Sequence, residues 1–120
     1  MGLDLFFSKT RTDELGYFRK VNFLVKYFKD IGFDVDNQIP LEINKKDAED
    51  LLNRCNLVLE EPDKAPELLP TMDGFFFGST DYNEYYLYTV KKVRDFLKDI
   101  LIPEFNNLDE NEQITFTTWY

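Results

Sequence analysis

The sequence predicts an α+β domain in which three helices pack on a small antiparallel sheet formed by the N- and C-terminal strands. Three observations carry that prediction. Leu3, Leu5 and Phe7 recur every second residue, the period of a strand with one buried face. Apolar residues in three longer segments recur every three or four positions, the period of a helical stripe. Ile114–Tyr120 (ITFTTWY) is built of β-branched and aromatic residues in rough alternation. Two terminal strands separated by helices most simply pair with each other, with the short piece at Leu41-Glu42-Ile43 as a candidate third member.

Taken in order, Lys9–Asp13 reads as a polar turn after the first strand. From Glu14 to Ile31, Leu15, Phe18, Val21, Val25 and Phe28 step by three or four, and Tyr17, Leu24, Tyr27 and Ile31 widen the stripe. This spacing predicts a helix with Arg19, Lys20, Lys26 and Lys29 on its other face and Gly32 as its C-terminal cap. Phe33–Pro40 is turn-rich. Asn44 is a good N-cap, with Asp47 three residues on, for a second helix whose stripe is Ala48, Leu51, Leu52, Cys55 and Val58 or Leu59. Pro62 ends that helix. A third helix is expected from Ser79-Thr80-Asp81, with Glu84 completing a capping box, to about Leu101, before Pro103. Its stripe is Tyr82, Tyr86, Val90, Val93, Leu97 and Ile100, with Phe96 and Leu101 beside it. Asn106–Asn111 reads as a loop.

Composition narrows the class. The 120 residues form one domain, long enough for a sizeable core, and 43% apolar content with 17% aromatics argues against disorder. There is no run of about 18 apolar residues to span a membrane. The N-terminus has no basic, apolar leader, and Phe6 stands where a myristoylation signal needs Ser or Thr. A single cysteine, Cys55, permits no internal disulfide and suits a reducing cytoplasm. Formal net charge is −9, unevenly spread: residues 1–29 carry +3 and residues 30–90 carry −10. Such a chain repels nucleic acid and membrane surfaces and attracts basic ones; the simpler reading of its acidity is solubility.

Catalytic chemistry finds little support. The chain has no histidine, which removes Ser-His-Asp, Cys-His and histidine-ligated metal sites. Asp34/Asp36 and Asp47/Glu49/Asp50 are carboxylate clusters that could bind a hard cation, but Asp34–Gln38 lacks the glycine and distal glutamate of a calcium loop. They read as a solvated loop and a helix's first turn. Cys55 sits on a helix stripe and reads as packing rather than nucleophile. No cofactor is expected, and a carboxylate-dependent enzyme is the third choice of function.

The densest segment is Leu68–Tyr88, LLPTMDGFFFGSTDYNEYYLY, with seven of the twenty aromatics. Pro70 stops any preceding helix, and Asp73-Gly74 is a turn pair. The run Phe75-Phe76-Phe77 is closed by Gly78. Three consecutive large apolar side chains cannot share one face of an extended backbone, so one of them is expected to serve a second surface. Beyond it, Tyr85 and Tyr88 are expected off the core face, where tyrosine suits an interface hot spot or simply caps the core edge.

Several of these residues carry a resemblance. Met1–Leu5, Gly16–Asn22 and above all Glu67-Leu68-Leu69-Pro70-Thr71, Gly74-Phe75-Phe76-Phe77-Gly78-Ser79-Thr80, Tyr82 and Glu84-Tyr85-Tyr86 resemble a family of small phage and prophage proteins. The resemblance covers most of the chain, and its specific part is the Gly-Phe-Phe-Phe-Gly-Ser-Thr segment. It implies expression inside a bacterium from a mobile element, and it brings no catalytic residue. In that setting small acidic proteins include inhibitors of host machinery, CRISPR nucleases among them, that occupy basic nucleic-acid channels. The leading expectation is therefore a non-enzymatic protein, acting in the bacterial cytoplasm, that binds a host defence or DNA-handling protein. Its expected contacts are Asp47, Glu49, Asp50, Glu60, Glu61, Asp63 and Glu67, with Tyr85 and Tyr88. The partner is a host protein with a basic, nucleic-acid-binding surface, with no direct contact to nucleic acid or membrane. The alternative is a structural or accessory phage protein whose acidity only keeps it soluble.

Overall fold

The computed structural model describes residues 2–10, 13–74 and 77–120. The domain is α+β. Its sheet has four antiparallel strands in the order β2-β1-β4-β3, with β1 Asp4–Lys9, β2 Asp13–Arg19, β3 Leu41–Ile43 and β4 Ile114–Trp119. The expected pairing of the two terminal strands is present, from Asp4 opposite Trp119 to Lys9 opposite Ile114. The Leu41 segment is indeed a member, pairing Leu41 with Phe116 and Ile43 with Ile114. Asn37 pins the loop before β3 to the end of β4: its side chain donates to the Tyr120 carbonyl (2.6 Å) and accepts from the Tyr120 amide (2.8 Å).

The fourth strand corrects the expected helix at Glu14–Arg19. These residues form β2, hydrogen-bonded to β1, and helix α1 is only Asn22–Asp30. Gly16 and Phe18 face inward opposite Phe7 and Leu5, at strand spacing. The register slips between Phe7 and Ser8, where Gly16 and Glu14 are the partners and Leu15 is the extra residue of a bulge. Leu15 still packs partly against the core. A bulge thus sets Leu15 and Phe18 three apart on the core side, which imitates a helical step. Lys20 then turns the chain into α1 with a left-handed backbone, φ 58°.

Helix α2 (Lys45–Glu60) follows expectation, with Asn44 accepting from the Asp47 amide at 2.9 Å and Ala48, Leu51, Cys55 and Val58 buried. A 3-10 turn, Pro62–Lys64, and a short helix α3, Ala65–Leu68, come next. Helix α4 spans Glu84–Phe96, continues through a π-helical turn at Leu97–Leu101 and into α5, Ile102–Asn106. Two expectations fail here. The cap is Asn83, whose side chain accepts from the Tyr86 amide at 3.0 Å, whereas Ser79 Oγ accepts from Asp81. The helix also runs on past Pro103 instead of stopping before it. A proline lacks the amide proton and crowds the carbonyl four residues back, and a widened turn just upstream accommodates both defects. The extra residue in that turn rotates the stripe, so Leu97 and Leu101 are buried and Ile100 is exposed.

The core lies between the sheet and the helices. Phe7 packs on Phe116 (5.2 Å between ring centroids), on Phe96 of α4 (5.1 Å) and on Phe28 of α1 (6.3 Å), while Phe28 lies 4.4 Å from Phe116. Phe77 is buried, edge-on to Tyr120 at 5.1 Å. The expectation for Phe75 and Phe76 lies outside the described residues.

Candidate functional site

The seven carboxylates expected at an interface fall into two groups at opposite ends of α2. Asp47, Glu49 and Asp50 lie in its first turns, where negative charge suits the positive end of the helix. Asp50 is committed to the fold: its carboxylate accepts from the Tyr27 hydroxyl (2.8 Å) and from Arg54 Nε (3.0 Å). Arg54 in turn donates to the Leu68 carbonyl (2.9 Å), so this cluster ties α1, α2 and α3 together. Burial and the neighbouring Asp50 carboxylate push the Tyr27 phenol far above its ordinary range. Between the groups, the exposed side of α2 carries Asn53, Asn56 and Leu57, so the acids do not form one continuous stripe.

Glu60, Glu61, Asp63 and Glu67 form the second group, all exposed, where α2 ends and the chain bends through the 3-10 turn into α3. Glu61 pairs with Lys64 at 2.7 Å. Among the described residues, Glu60, Asp63 and Glu67 make no ion pair. The last turn of α2 has no basic residue. Glu60 in that turn faces the negative helix end, an arrangement unfavourable by about 0.3–1 kcal/mol, whereas Asp63 and Glu67 stand in the first turns of the 3-10 segment and of α3.

Tyr85 and Tyr88 are exposed, at 62% and 56%, on the outer side of α4. Their ring centroids lie 6.3 Å apart, and Lys92 Nζ sits 4.9 Å from the Tyr88 centroid. Tyr86 is buried and donates to the Leu69 carbonyl at 2.7 Å; burial, chiefly, pushes its phenol well above the ordinary value. Tyr82 is half exposed, ahead of the helix, and its hydroxyl accepts from the Thr71 amide at 3.0 Å.

Beside Tyr85 the structure opens a cavity of about 230 Å³ that sequence reasoning did not locate, lined among others by Arg19, Lys20, Asn22, Ser79, Asp81 and Tyr85. It forms where β2 passes into α1 and the segment around Gly78 crosses the junction. Asn22 is buried and fully used: its amide donates to the carbonyls of Phe77 (3.1 Å) and Ser79 (2.9 Å), and its oxygen accepts from the Met72 amide (3.1 Å). That one side chain fixes the floor. Lys20 is held in the left-handed region, which disfavours a side chain by roughly 1–2 kcal/mol. Its side chain lies over two glycines: a Cβ on Gly78 would come 3.1 Å from Lys20 Cβ, and one on Gly2 3.2 Å from Lys20 Cε and from an Arg19 nitrogen. Of the two glycines only Gly78 lines the cavity, and only the fold brings it to Lys20.

Nucleophilic chemistry is not prepared at Cys55, whose thiol is buried and pushed up to about 12 by desolvation. Among the described residues no group of three metal-ligating side chains is clustered, and no helix is long and apolar enough to cross a membrane. The chain is thus defined as an α+β domain with an acidic corner at the end of α2 and a cavity at the start of α1. Comparisons with protein-family models, curated proteins and solved structures returned no match.

Proposed function

We propose that this is a non-enzymatic binding protein that docks the acidic corner of Glu60, Asp63 and Glu67 onto a basic, nucleic-acid-handling surface of a host protein and blocks it. One observation carries the reading. Three exposed carboxylates without an ion pair among the described residues, Glu60, Asp63 and Glu67, gather within eight residues, and Glu60 stands in the last turn of α2, whose field opposes it. Local stability does not account for Glu60 there, and attraction of the unpaired cluster to a cationic surface does. The resemblance to small phage proteins supplies the setting, the cytoplasm of an infected bacterium, where a host defence or DNA-handling protein is the target. Asp47 and Glu49 extend the acidic surface toward the other end of α2, and Tyr85 and Tyr88 offer aromatic contact from α4.

The test is affinity for a partner captured from host lysate, at low and high salt, with DNA as competitor. Glu60→Lys should leave the fold intact or stabilise it by about 0.3–1 kcal/mol, because it places a cation at the negative helix end. The same change should weaken binding by several kcal/mol, because it sets like charges face to face. Affinity indifferent to salt, to DNA and to Glu60→Lys would leave the acidity as mere solubility. Loss confined to Tyr85→Ala would move the interface to α4.

A further inference from the structure

We infer that the free edge of β2 is a homodimer interface, at which two copies of the chain join their sheets across a twofold axis at Tyr17. The inference goes beyond the proposed docking surface and rests on different residues.

β2 is the outermost strand on one side of the sheet, and among the described residues no strand or helix runs along its outer edge. The hydrogen bonds fix which of its backbone groups are left over. Leu3 accepts from the Lys20 amide (2.6 Å), so the odd-numbered residues of β1 bond toward β2. The Thr10 amide donates to the Gln113 carbonyl (2.9 Å), so the even-numbered ones bond toward β4. Phe18 and Gly16 are therefore spent on Leu5 and Phe7. Arg19, Tyr17 and Glu14, opposite Asp4, Phe6 and Ser8, turn their N–H and C=O groups outward, and all three residues are exposed.

An uncovered edge is a template for another strand, and shortness or proline commonly blunts it. The opposite edge of this sheet is blunted in that way: β3 has three residues and follows Pro40. β2 has seven residues and no proline. Its bulge spoils pairing with a regular strand, because the outward groups are spaced unevenly, from Glu14 to Tyr17 and from Tyr17 to Arg19. The strand that matches this spacing is β2 itself, run in reverse. With Tyr17 opposite the partner's Tyr17, Glu14 falls opposite the partner's Arg19 and Arg19 opposite the partner's Glu14. Each Leu15-Gly16 bulge then spans the partner's Phe18, as it already spans Phe7 on β1. Every outward N–H and C=O of the three residues finds a counterpart. Charge agrees with register, since both outer pairs are Glu facing Arg, and among the described residues neither Glu14 nor Arg19 forms an ion pair within the chain. The twofold arrangement uses each edge once and closes. The net charge of −9 opposes self-association, but residues 1–29 carry +3 and fields decay over about 8 Å at physiological ionic strength.

The experiment is sedimentation equilibrium of the full chain over a dilution series, with a thermal melt of each variant to confirm folding. A reversible monomer–dimer equilibrium is expected. Glu14→Arg and Arg19→Glu each set like charges opposite at both ends of the junction, so each should weaken association at least tenfold. An equimolar mixture of the two should recover it, because every outer pair is then Arg facing Glu. Arg19→Glu also faces Asp4 across β1, so Tyr17→Pro serves beside it. Proline there removes a donor that points away from β1, and should keep the fold while abolishing the dimer. A chain that stays monomeric up to about 1 mM would overturn the assignment. So would a dimer indifferent to both Glu14→Arg and Tyr17→Pro, or a mixture of folded Glu14→Arg and Arg19→Glu no tighter than either alone.

Discussion

At the scale of single residues, Gly16 shows how a missing side chain can matter more than a present one. It faces the core from β2, and the Phe96 ring of α4 lies against its backbone; a methyl group there would fall 2.7 Å from the ring's Cζ. Gly16→Ala must push that ring off Phe7 and Phe18, its neighbours at 5.1 and 5.4 Å. We expect a loss of about 1–3 kcal/mol, read as a lower urea midpoint at unchanged slope. A substitution within 0.3 kcal/mol of the parent would show that the ring is not held there. None of this was legible in the sequence, where Gly16 looks like an ordinary helix-weakening glycine. Asn22 is a second case: it falls inside the segment expected to be helical with nothing to single it out, yet it is the buried residue that organises the cavity floor through three hydrogen bonds.

Secondary-structure elements were legible where one rule acted alone. The Asn44 cap, the buried stripe of α2 and the alternation of β1 follow from local spacing, and the fold keeps them. They were misread where two rules competed. In β2 the bulge at Leu15 gave a strand the three-residue step of a helix, and pairing with β1 decided the outcome. At α4 both Asp81 and Asn83 are competent caps, and Ser79 Oγ already engages the Asp81 amide. Asn83→Ala should therefore destabilise by about 1 kcal/mol and Asp81→Ala by less than about 0.5. Thermal melts of the two variants decide it; the reverse order would restore the earlier start of the helix. The acidic corner and the tyrosines were readable as residue types, and their neighbours were not. Which carboxylates are spent on the fold, as Asp50 is on Tyr27 and Arg54, depends on contacts between distant elements.

For the molecule as a whole, burial of neutral acids sets a limit on the alkaline side. Cys55, Tyr27 and Tyr86 are held protonated above their ordinary values of 9.0 and 10.0, principally by desolvation. The unfolded chain releases these protons first, so stability is intact below about pH 9 and falls as pH rises toward 12. Urea midpoints from pH 8 to 11 should decline, and Cys55→Ala should delay the onset toward pH 10. A flat profile to pH 11 in the parent would contradict the burial of these groups. The same core depends on β4. Deleting Ile114–Tyr120 should abolish cooperative melting, because Phe116 and Ile114 are fully buried, β3 loses its strand partner and β1 loses one of its two. A truncated chain that still melts cooperatively near the parent midpoint would remove β4 from the core.

Because β4 follows every other described element yet lies between β1 and β3, the order of synthesis runs against the order of the sheet. About 70 residues separate β3 from β4, on the order of 4–14 s of translation at 5–20 residues per second. Throughout that interval the nascent hairpin of β1 and β2 presents Leu5 and Phe7 with no Phe116 to receive them. Burial of these side chains waits until translation has passed Trp119. Until then the growing chain is a natural client for whatever holds exposed aromatic surface at the ribosome.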